Sequence, residues 1–524
     1  MLVRNNALLF SVNNPAPVLD ALPKAKLLRI KGRDIIAVRH SLDSARVLNN
    51  LGLNAPSPVL TDYEFTGRYT PLKKQKATVN FFTLNKRAYC FNQMRTGKTG
   101  AALWALDYLK NVGEINRVLV VCPINAMDVW VREAFAVTPH RTVIQLLGSQ
   151  AKKLQLAEQY ADINIIGFDG LSTLFHEEFY EGTNKVKRRW HDLENKYDLI
   201  IFDEAHAYCN AQNLRWKAAK QLIKIDTWVW ELTGTPTNNA PTDSYGLIKL
   251  MQPEKIPASY KLFEEHLMRP VGPYKKVPRA GAKEYVYGLM QPAVRMLRDD
   301  DESLPTTIQD VSCRMSKEQE AAFADMKERM YYESDGSEIT AANAAVRLIK
   351  LQQIMCGAVK DADGNALELG PKDRLEKVLD LVQGAEAKTV VFVPFIHTMH
   401  MISNYLEQKG ITTAILNGTL SKAKRDEIVK EFRFSKDPHV LIAHPKVASL
   451  GYDFTVADTF IWYAPIFSNE QYEQANARGE GINKTKPVGI YHIGCHPVEW
   501  RIYDVLDKKS SMQNSILDLY NSVF

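Results

Sequence analysis

The residues around Lys98 have the types and spacing of a phosphate-binding loop. The apolar segment Ala88–Phe91 predicts a strand, and a helical pattern runs from Thr99 to Lys110. A strand, a tight loop and a helix N-terminus direct backbone N–H groups toward an anion, and the helix dipole adds to the attraction. In such a loop the Lys98 ammonium reaches the β/γ-phosphates of a nucleotide, and the Thr99 hydroxyl binds Mg²⁺. The predicted loop comprises Met94, Arg95, Thr96, Gly97, Lys98 and Thr99.

A pair of carboxylates provides a second signal, which matters because Asn92 stands where the loop motif usually has its first glycine. Residues 197–202 form a buried-strand pattern that runs directly into Asp203 and Glu204. Asp203, at the end of a parallel strand, is predicted to hold Mg²⁺ through water, and Glu204 to orient and deprotonate the attacking water. His206 is predicted to lie near the gap between two lobes and to couple the bound nucleotide to the polymer on which the protein acts. For the pair alone, a helix cap is the simpler interpretation.

A third segment with the same pattern, a strand followed by polar residues, argues against the interpretation as a helix cap. The apolar segment Trp228–Leu232 predicts another strand, and the hydroxyls of Thr233 and Thr235 follow it directly. The carboxyl ends of neighbouring parallel strands meet at one edge of a sheet, where ligands bind in open α/β folds. These short hydroxyls are therefore predicted to link the hydrolytic site to the remainder of the protein.

The elements that must position these residues fall into four segments. Short β-branched runs alternate with helical stretches over residues 67–255 and again over residues 366–524, which predicts two α/β domains with parallel sheets. Residues 256–365 begin with Pro- and Gly-rich loops and continue with the amphipathic helical patterns 315–332 and 341–356, so we predict a helical spacer. Residues 1–66 are predicted to form a small accessory domain.

Composition and charge limit the classes of partner. The net charge of +6, from 66 basic and 60 acidic residues in 524, neither requires nor excludes nucleic acid. No apolar run approaches the roughly 20 residues that span a bilayer, so no membrane partner is expected. Six scattered cysteines without paired metal-ligand spacing predict free thiols in a reducing cytoplasm. One N-terminal cluster without acids predicts phosphate contacts, with a solvated surface as the alternative: Lys24, Lys26, Arg29, Lys31 and Arg33.

The order of these motifs resembles helicase superfamily two, with a DEAH-box-like second motif, and within it the Swi/Snf group of DNA translocases. Gln75 matches the upstream glutamine that reads adenine in that family. Pro123 with Trp130 is similar to the next motif, which contacts the nucleic-acid backbone, and Thr233 and Thr235 take a related place. The resemblance implies two RecA-like lobes joined by the spacer, with ATP and Mg²⁺ as cofactors.

The second lobe carries the remaining landmarks of the resemblance. Residues 448–454 resemble the fifth motif, so that Gly451 and Asp453 are expected at the nucleotide. Gln474 and Arg478 occupy places of the sixth motif and are expected to act in catalysis. Two positions depart from the pattern: Arg95 replaces a glycine of the phosphate loop, and Gly481 replaces the second arginine of the sixth motif, which bears on the rate of hydrolysis.

The resemblance implies an ATP-dependent translocase or helicase that moves on duplex or branched DNA. The N-terminal segment resembles accessory domains of phage recombination helicases and fork-remodelling enzymes, which implies fork or recombination-intermediate remodelling in a bacterial or phage-infected cell. Two alternatives stay open. One is a strand-separating helicase on DNA or RNA, and the other is an ATP-gated nucleic-acid-binding protein with weak hydrolysis.

Overall fold

The protein consists of two compact units, Met1–Arg298 and Asp299–Phe524. A computed structural model describes residues 1–30, 33–93, 96–124, 126–181, 185–190, 196–234, 240–271, 276–297, 307–334, 341–360, 366–480, 484 and 487–507. Within those residues no helix is long and apolar enough to cross a bilayer.

The first unit begins with a four-stranded antiparallel sheet of order β1-β2-β4-β3. Alternate residues of its strands point inward, and Leu8, Phe10, Ile36 and Val38 form a small core with helical residues. Its strand β3 has all five residues exposed and is paired only with β4. The elements of this region are β1 Leu2–Arg4, β2 Ala7–Phe10, α1 Ala16–Ala21, β3 Lys26–Ile30, β4 Arg33–Arg39, α2 Leu42–Asn50 and α3 Val59–Asp62.

The main sheet of the first unit has seven parallel strands in the order β15-β5-β12-β11-β6-β8-β7. Separate apolar clusters cover its two faces, which explains why the central strands are continuous hydrophobic runs. A hairpin, β9 and β10, lies outside this sheet. The elements that follow α3 are α4 Lys73–Leu84, β5 Arg87–Cys90, α5 Lys98–Asn111, β6 Val118–Cys122, α6 Met127–Val137, β7 Val143–Gln145, α7 Gln150–Glu158, β8 Ile163–Gly167, α8 Phe168–Phe175, β9 His176–Glu181, β10 Lys185–Trp190, β11 Leu199–Asp203, α9 Leu214–Leu222, β12 Trp228–Leu232 and α10 Ser244–Met251.

The predicted spacer is divided between the two units. Its first part packs on the first unit, and its strand β15 pairs with β5 at the sheet edge. This pairing continues past both strands, because the backbone N–H groups of Phe91 and Gln93 donate to the carbonyls of Val294 (2.8 Å) and Met296 (3.0 Å). The elements of this part are α11 Tyr260–Leu267, β13 Met268–Pro270, β14 Lys276–Pro278, α12 Ala282–Leu289 and β15 Ala293–Val294.

The second unit contains a six-stranded parallel sheet of order β16-β23-β22-β19-β21-β20. Its edge strand β16 and helix α14 come from the predicted spacer, and Leu348 and Leu351 of α14 pack into its core. The predicted α/β class with two parallel-sheet lobes is confirmed. The elements are β16 Thr307–Ser312, α13 Lys317–Ser334, α14 Ala341–Met355, β17 Ala358–Lys360, β18 Ala366–Glu368, α15 Lys372–Gln383, β19 Lys388–Phe392, α16 Ile396–Gln408, β20 Thr413–Leu416, α17 Lys422–Phe434, β21 Val440–Ala443, α18 Pro445–Ala448, β22 Ala457–Trp462, α19 Asn469–Ala477, β23 Gly489–Gly494 and α20 Pro497–Asp507.

Candidate functional site

The loop between β5 and α5 is anchored by Asn92, the residue that replaces the usual first glycine. Asn92 is buried, and its amide nitrogen donates to the hydroxyl of Thr78 on α4 (2.9 Å). Its amide oxygen accepts the backbone N–H of Met296, just past β15 (2.8 Å). The side chain therefore joins three elements at the start of the loop. The sequence motif carries no signal for this role, because both partners are distant along the chain.

The tight part of the loop depends on Gly97, which precedes α5. Gly97 has φ 73° and ψ 37°, a left-handed conformation that favours glycine. A Cβ atom there would overlap the Nε2 atom of Gln75, so the backbone and the glutamine side chain are in close contact. The Gln75 amide oxygen accepts the backbone N–H of Leu72 (2.9 Å), and its Nε2 atom is 3.4 Å from the Gly97 carbonyl. The predicted adenine-reading side chain thus lies directly against the predicted phosphate loop.

The two residues that open α5 occupy the positions that phosphate binding requires. The Lys98 ammonium donates to the backbone carbonyl of Asn92 (2.9 Å), so it folds back over the loop. Thr99 is partly exposed in the first turn of α5, where backbone N–H groups have no helical partner. Thr96 closes the loop by donating its hydroxyl to the Gln93 carbonyl (2.8 Å). Met94 and Arg95, which were also predicted to bind the nucleotide, lie outside the described residues.

Asp203 ends β11, two strands away from β5 in the sheet. One of its carboxylate oxygens accepts the indole N–H of Trp130 (2.8 Å), and the other accepts the backbone N–H of Glu204 (3.1 Å). Burial and the neighbouring Glu204 charge raise the pKa of Asp203 to about 6, against the opposing effects of Trp130 and Lys98. Because ionisation of this carboxyl group is unfavourable, a cation bound beside it would stabilise its charged form.

Glu204 has a left-handed backbone, with φ 50° and ψ 51°, which is uncommon for a residue with a side chain. Its carboxylate lies 3.4 Å from the Nδ1 atom of His206, and the same nitrogen lies 3.4 Å from the Thr233 hydroxyl. The backbone N–H of Thr233 donates to the Cys90 carbonyl at the end of β5 (3.0 Å). These contacts form one path from the predicted water-activating group to the phosphate-loop strand.

The first-unit residues therefore converge at the carboxyl ends of β5, β12 and β11, which are neighbours in the sheet. The donor set suits a magnesium nucleotide: a helix N-terminus and an ammonium for phosphate, and a hydroxyl and a carboxylate for a hard cation. In this arrangement Thr99 and Asp203 would hold Mg²⁺, as the sequence predicts.

Two residues predicted at the nucleic-acid backbone lie in the core. Trp130 is 1% exposed and supports Asp203 through its indole N–H, and Thr233 is 1% exposed beside His206. Both side chains therefore support the site from inside the core, and a contact of this segment with nucleic acid stays a prediction. Pro123 is partly exposed after β6. Thr235 lies outside the described residues.

The basic N-terminal cluster lies along the open edge of the small sheet. Lys24, Lys26, Arg29 and Arg33 are exposed, whereas Lys31 lies outside the described residues. Because strand residues alternate between faces, Lys26 and Arg29 of β3 point to opposite sides of the sheet. The cluster therefore presents charge along an edge and does not form one flat basic face.

The predicted residues of the second unit are each held by a neighbouring residue. The Arg478 guanidinium donates to the Ser449 carbonyl (2.5 Å), at the start of the segment that contains Gly451 and Asp453. Gly451 has φ 94°, so the chain turns there in a left-handed conformation.

Two further contacts hold this region of the second unit. Asp453 forms an ion pair with Arg433 (2.7 Å), and Gln474 donates to Glu470 within α19 (2.9 Å). Lys484 donates to the carbonyls of Ala457 and Gly479. Gly481 lies outside the described residues.

Comparison with known proteins gives two domain matches and many relatives. The SNF2-related domain matches residues 75–359, and the helicase conserved C-terminal domain matches residues 373–479. An uncharacterized ATP-dependent helicase of Mycoplasma genitalium is 22% identical over 435 residues, which are 81% of this chain and 40% of that protein. Chromodomain-helicase-DNA-binding protein 1-like of Danio rerio is 23% identical over 446 residues, 82% of this chain and 41% of that protein. The chain thus spans less than half the length of these two relatives.

Among solved structures, the Sulfolobus solfataricus SWI2/SNF2 ATPase core in complex with dsDNA is similar to this chain with a TM-score of 0.41 and 21% identity. The similarity covers 87% of this chain and 94% of that one. The first domain match covers more than half of the chain and extends from the first unit into the second, and the second match lies within the second unit. The chain belongs to the SNF2-related family of helicase superfamily two, with a helicase conserved C-terminal domain after its SNF2-related domain.

Proposed function

We propose that this protein is an ATP-dependent DNA translocase that couples ATP hydrolysis to movement on duplex DNA. The observation that carries the proposal is the convergence of the loop with Lys98, the carboxylates Asp203 and Glu204, and the His206–Thr233 contact at the ends of three adjacent strands. Relatives that are named helicases or DNA-binding helicases support the proposal.

In the proposed reaction each residue acts on a different part of the nucleotide. Backbone N–H groups at the start of α5 and the Lys98 ammonium bind the phosphates, and Lys98 exchanges the Asn92 carbonyl for a phosphate oxygen. Bound Mg²⁺ would neutralise phosphate charge, held by the Thr99 hydroxyl and by Asp203. Glu204 accepts a proton from the attacking water. Gln75, which lies against the phosphate loop, would contact the adenine base.

Coupling to DNA is proposed to begin at Glu204. When that carboxylate takes up a proton, the negative charge next to His206 is lost, and the contact between His206 and Thr233 changes as a result. In the second unit, Gln474 and Arg478 are proposed to act in catalysis, and the Arg478–Ser449 bond joins Arg478 to the segment with Gly451 and Asp453. ATP binding and release would thereby change the grip of each unit on the DNA backbone.

The proposal is tested by the rate of ATP hydrolysis with duplex DNA, single-stranded DNA, branched DNA and RNA side by side. Stimulation by duplex DNA is the expected result, whereas stimulation confined to single strands or RNA would indicate a strand-separating helicase. A stronger response to branched DNA would support fork or recombination-intermediate remodelling, the finer role we propose. ATP binding with no stimulated turnover on any substrate would favour the ATP-gated binding protein.

Two variants test the chemical assignments. Lys98→Ala should weaken nucleotide binding and stop turnover. Glu204→Gln should retain ATP binding and lose nearly all hydrolysis, because only the water-activating carboxylate is removed. Hydrolysis at the wild-type rate in Glu204→Gln would contradict the assignment.

The exposed edge of the small sheet is proposed as an additional DNA contact. Replacing Lys24, Lys26 and Arg29 with glutamine removes three positive charges, none of which lies in the core. If each binds one phosphate, the slope of log affinity against log salt should flatten by about 2 to 3. An unchanged slope would identify the edge as solvated surface.

A further inference from the structure

Three cysteines of the second unit surround one buried guanidinium. Arg374 of α15 is 1% exposed, and its Nε atom lies 3.4 Å from the sulfur of Cys313. Its Nη1 atom lies 3.8 Å from the sulfur of Cys356, and its Nη2 atom forms an ion pair with the buried Glu499 (2.5 Å). Cys495 completes the group, because its sulfur is 3.4 Å from the same Glu499 oxygen. The SNF2-related activity assigns no role to this cluster.

Two of the three thiols are neighbours across the sheet. Cys313 directly follows β16 and Cys495 directly follows β23, and these parallel strands pair Ser312 with Gly494. The backbone N–H of Cys313 donates to the Gly494 carbonyl (2.9 Å), so the pairing continues to the cysteines. Neighbouring strands lie about 4.8 Å apart. That spacing falls within the roughly 4.4–6.8 Å between Cα atoms that a disulfide accepts.

The surroundings of Cys313 favour its reactive thiolate form. The thiol of Cys495 hydrogen-bonds to Cys313 and the Arg374 guanidinium lies beside it. Both effects oppose burial and hold the pKa of Cys313 below that of an ordinary thiol, whereas the same hydrogen bond raises the pKa of Cys495. Burial raises the pKa of Cys356 instead. Cys313 and Cys356 therefore contact the same cation but differ in reactivity.

Cys313 also has a route to solvent. A cavity of about 640 Å³ is lined by Cys313 together with Arg314, Met315, Lys372 and Lys377. Cys313 is 7% exposed and Cys356 is 0% exposed. A small oxidant that enters this cavity would meet the sulfur of Cys313 first.

We propose that Cys313 and Cys495 form a redox modification site that closes to a disulfide on exposure to a peroxide. In the first step the Cys313 thiolate attacks one peroxide oxygen, the O–O bond breaks, and Cys313 sulfenic acid and hydroxide form. In the second step the Cys495 sulfur attacks the sulfenic sulfur, the S–O bond breaks, and the thiol proton leaves with the oxygen as water. Two electrons pass from the two thiols to the peroxide, and Cys313 and Cys495 become covalently linked.

Such a bond would tie together parts of the chain that meet only in the folded sheet. Among the described elements of the second unit, strand β16 comes first, and it pairs with β23 at the edge of the sheet. The disulfide would fix this edge strand covalently, and a thiol reductant would release it. Oxidation would then modify the second unit covalently whether or not a nucleotide is bound.

The test is peptide mapping of the full native chain after brief treatment with hydrogen peroxide and blocking of the remaining thiols. The expected result is a Cys313–Cys495 cross-linked peptide that has lost two hydrogen atoms and that dithiothreitol reverses. Cys356 should be recovered as an unmodified thiol. Recovery of Cys313 and Cys495 as thiols, or oxidation of Cys356 ahead of Cys313, would overturn the proposal.

Two variants separate the steps. In Cys495→Ser the second step lacks its thiol, so Cys313 should stop at sulfenic acid and react with dimedone. Cys356→Ser is the matched control, because it alters a thiol on the same guanidinium, and its cross-link should form as in the wild type. Alkylation of native wild-type protein needs no variant, and Cys313 should react at least roughly tenfold faster than Cys356, as its thiolate fraction implies. Equal rates would contradict the assigned environment.

Discussion

The bond between Trp130 and Asp203 predicts a measurable shift in the pH dependence of ATP hydrolysis. The change is Trp130→Phe, which keeps a large aromatic ring in the core but removes the indole N–H that Asp203 accepts at 2.8 Å. Trp130 favours the ionised form of Asp203, so its removal raises a pKa that already stands at about 6. The neutral acid then persists to higher pH.

The size of the shift follows from the strength of the lost bond. Hydrogen bonds to charged groups contribute about 1.5–3 kcal/mol. One pKa unit corresponds to about 1.4 kcal/mol, which gives roughly one to two units as an upper range. Asp203 is partly exposed, and solvent will replace some of the lost interaction, so we expect about one unit.

The assay is DNA-stimulated ATP hydrolysis across acidic and neutral pH at saturating Mg²⁺. Protonated Asp203 is a poor partner for a cation, so activity should fall on the acidic side, and this fall should begin at higher pH in Trp130→Phe. The matched control is Trp216→Phe, because the buried indole of Trp216 donates to a backbone carbonyl, that of Gly246 (2.9 Å), and to no acid. If the activity of both variants falls at the same acidic pH as that of the wild type, the assignment of Asp203 as the titrating group is refuted.

Three further predictions follow from the same site. Asp203→Asn should raise the melting temperature more at pH above 6 than near pH ~4. Folding raises the pKa of Asp203 from 3.8 to about 6, so above pH 6 the ionised carboxylate lowers the free energy of unfolding by up to about 3 kcal/mol. An equal shift in melting temperature at both pH values would contradict this. Gly97→Ala should weaken nucleotide binding, because alanine costs about 1 kcal/mol in this left-handed backbone conformation and its Cβ atom must displace the Gln75 side chain; wild-type nucleotide affinity in this variant would contradict the assignment. Asn92→Ala should lower the free energy of unfolding in urea by about 1–3 kcal/mol, because the Met296 N–H loses its acceptor, and a smaller loss would show that water replaces it.

Much of the fold could be predicted because its signal is local. Continuous apolar runs predict strands that are covered on both faces, and the predicted strands Ala88–Phe91 and Trp228–Leu232 correspond to β5 Arg87–Cys90 and β12 Trp228–Leu232. The two long helices predicted at 315–332 and 341–356 correspond to α13 and α14. The helices can be predicted because the periodic spacing of their apolar residues is visible within one short stretch of sequence.

The remaining features depend on contacts between distant residues. Strand β15 has two residues and joins the sheet beside β5, some 200 positions earlier, so no local pattern reveals it. The motif around Trp130 predicts a contact with nucleic acid but not the burial of Trp130 or its bond to Asp203, because these depend on how α6 packs against the sheet. A polar residue at a strand end, such as Asn92, is the signal that a motif search passes over.

The late strand β15 has a consequence for how the chain folds during synthesis. The N–H groups of Tyr89, Phe91 and Gln93 face the edge of β5 and find their acceptors only in residues 292–296. A nascent chain that has emerged as far as α10 would already have the other six strands of the sheet, yet β5 would remain an open edge beside the phosphate loop. Open edges template pairing between molecules. A ribosomal pause before residue 292 has emerged should therefore raise aggregation of this protein, whereas a pause after residue 297 has emerged should not.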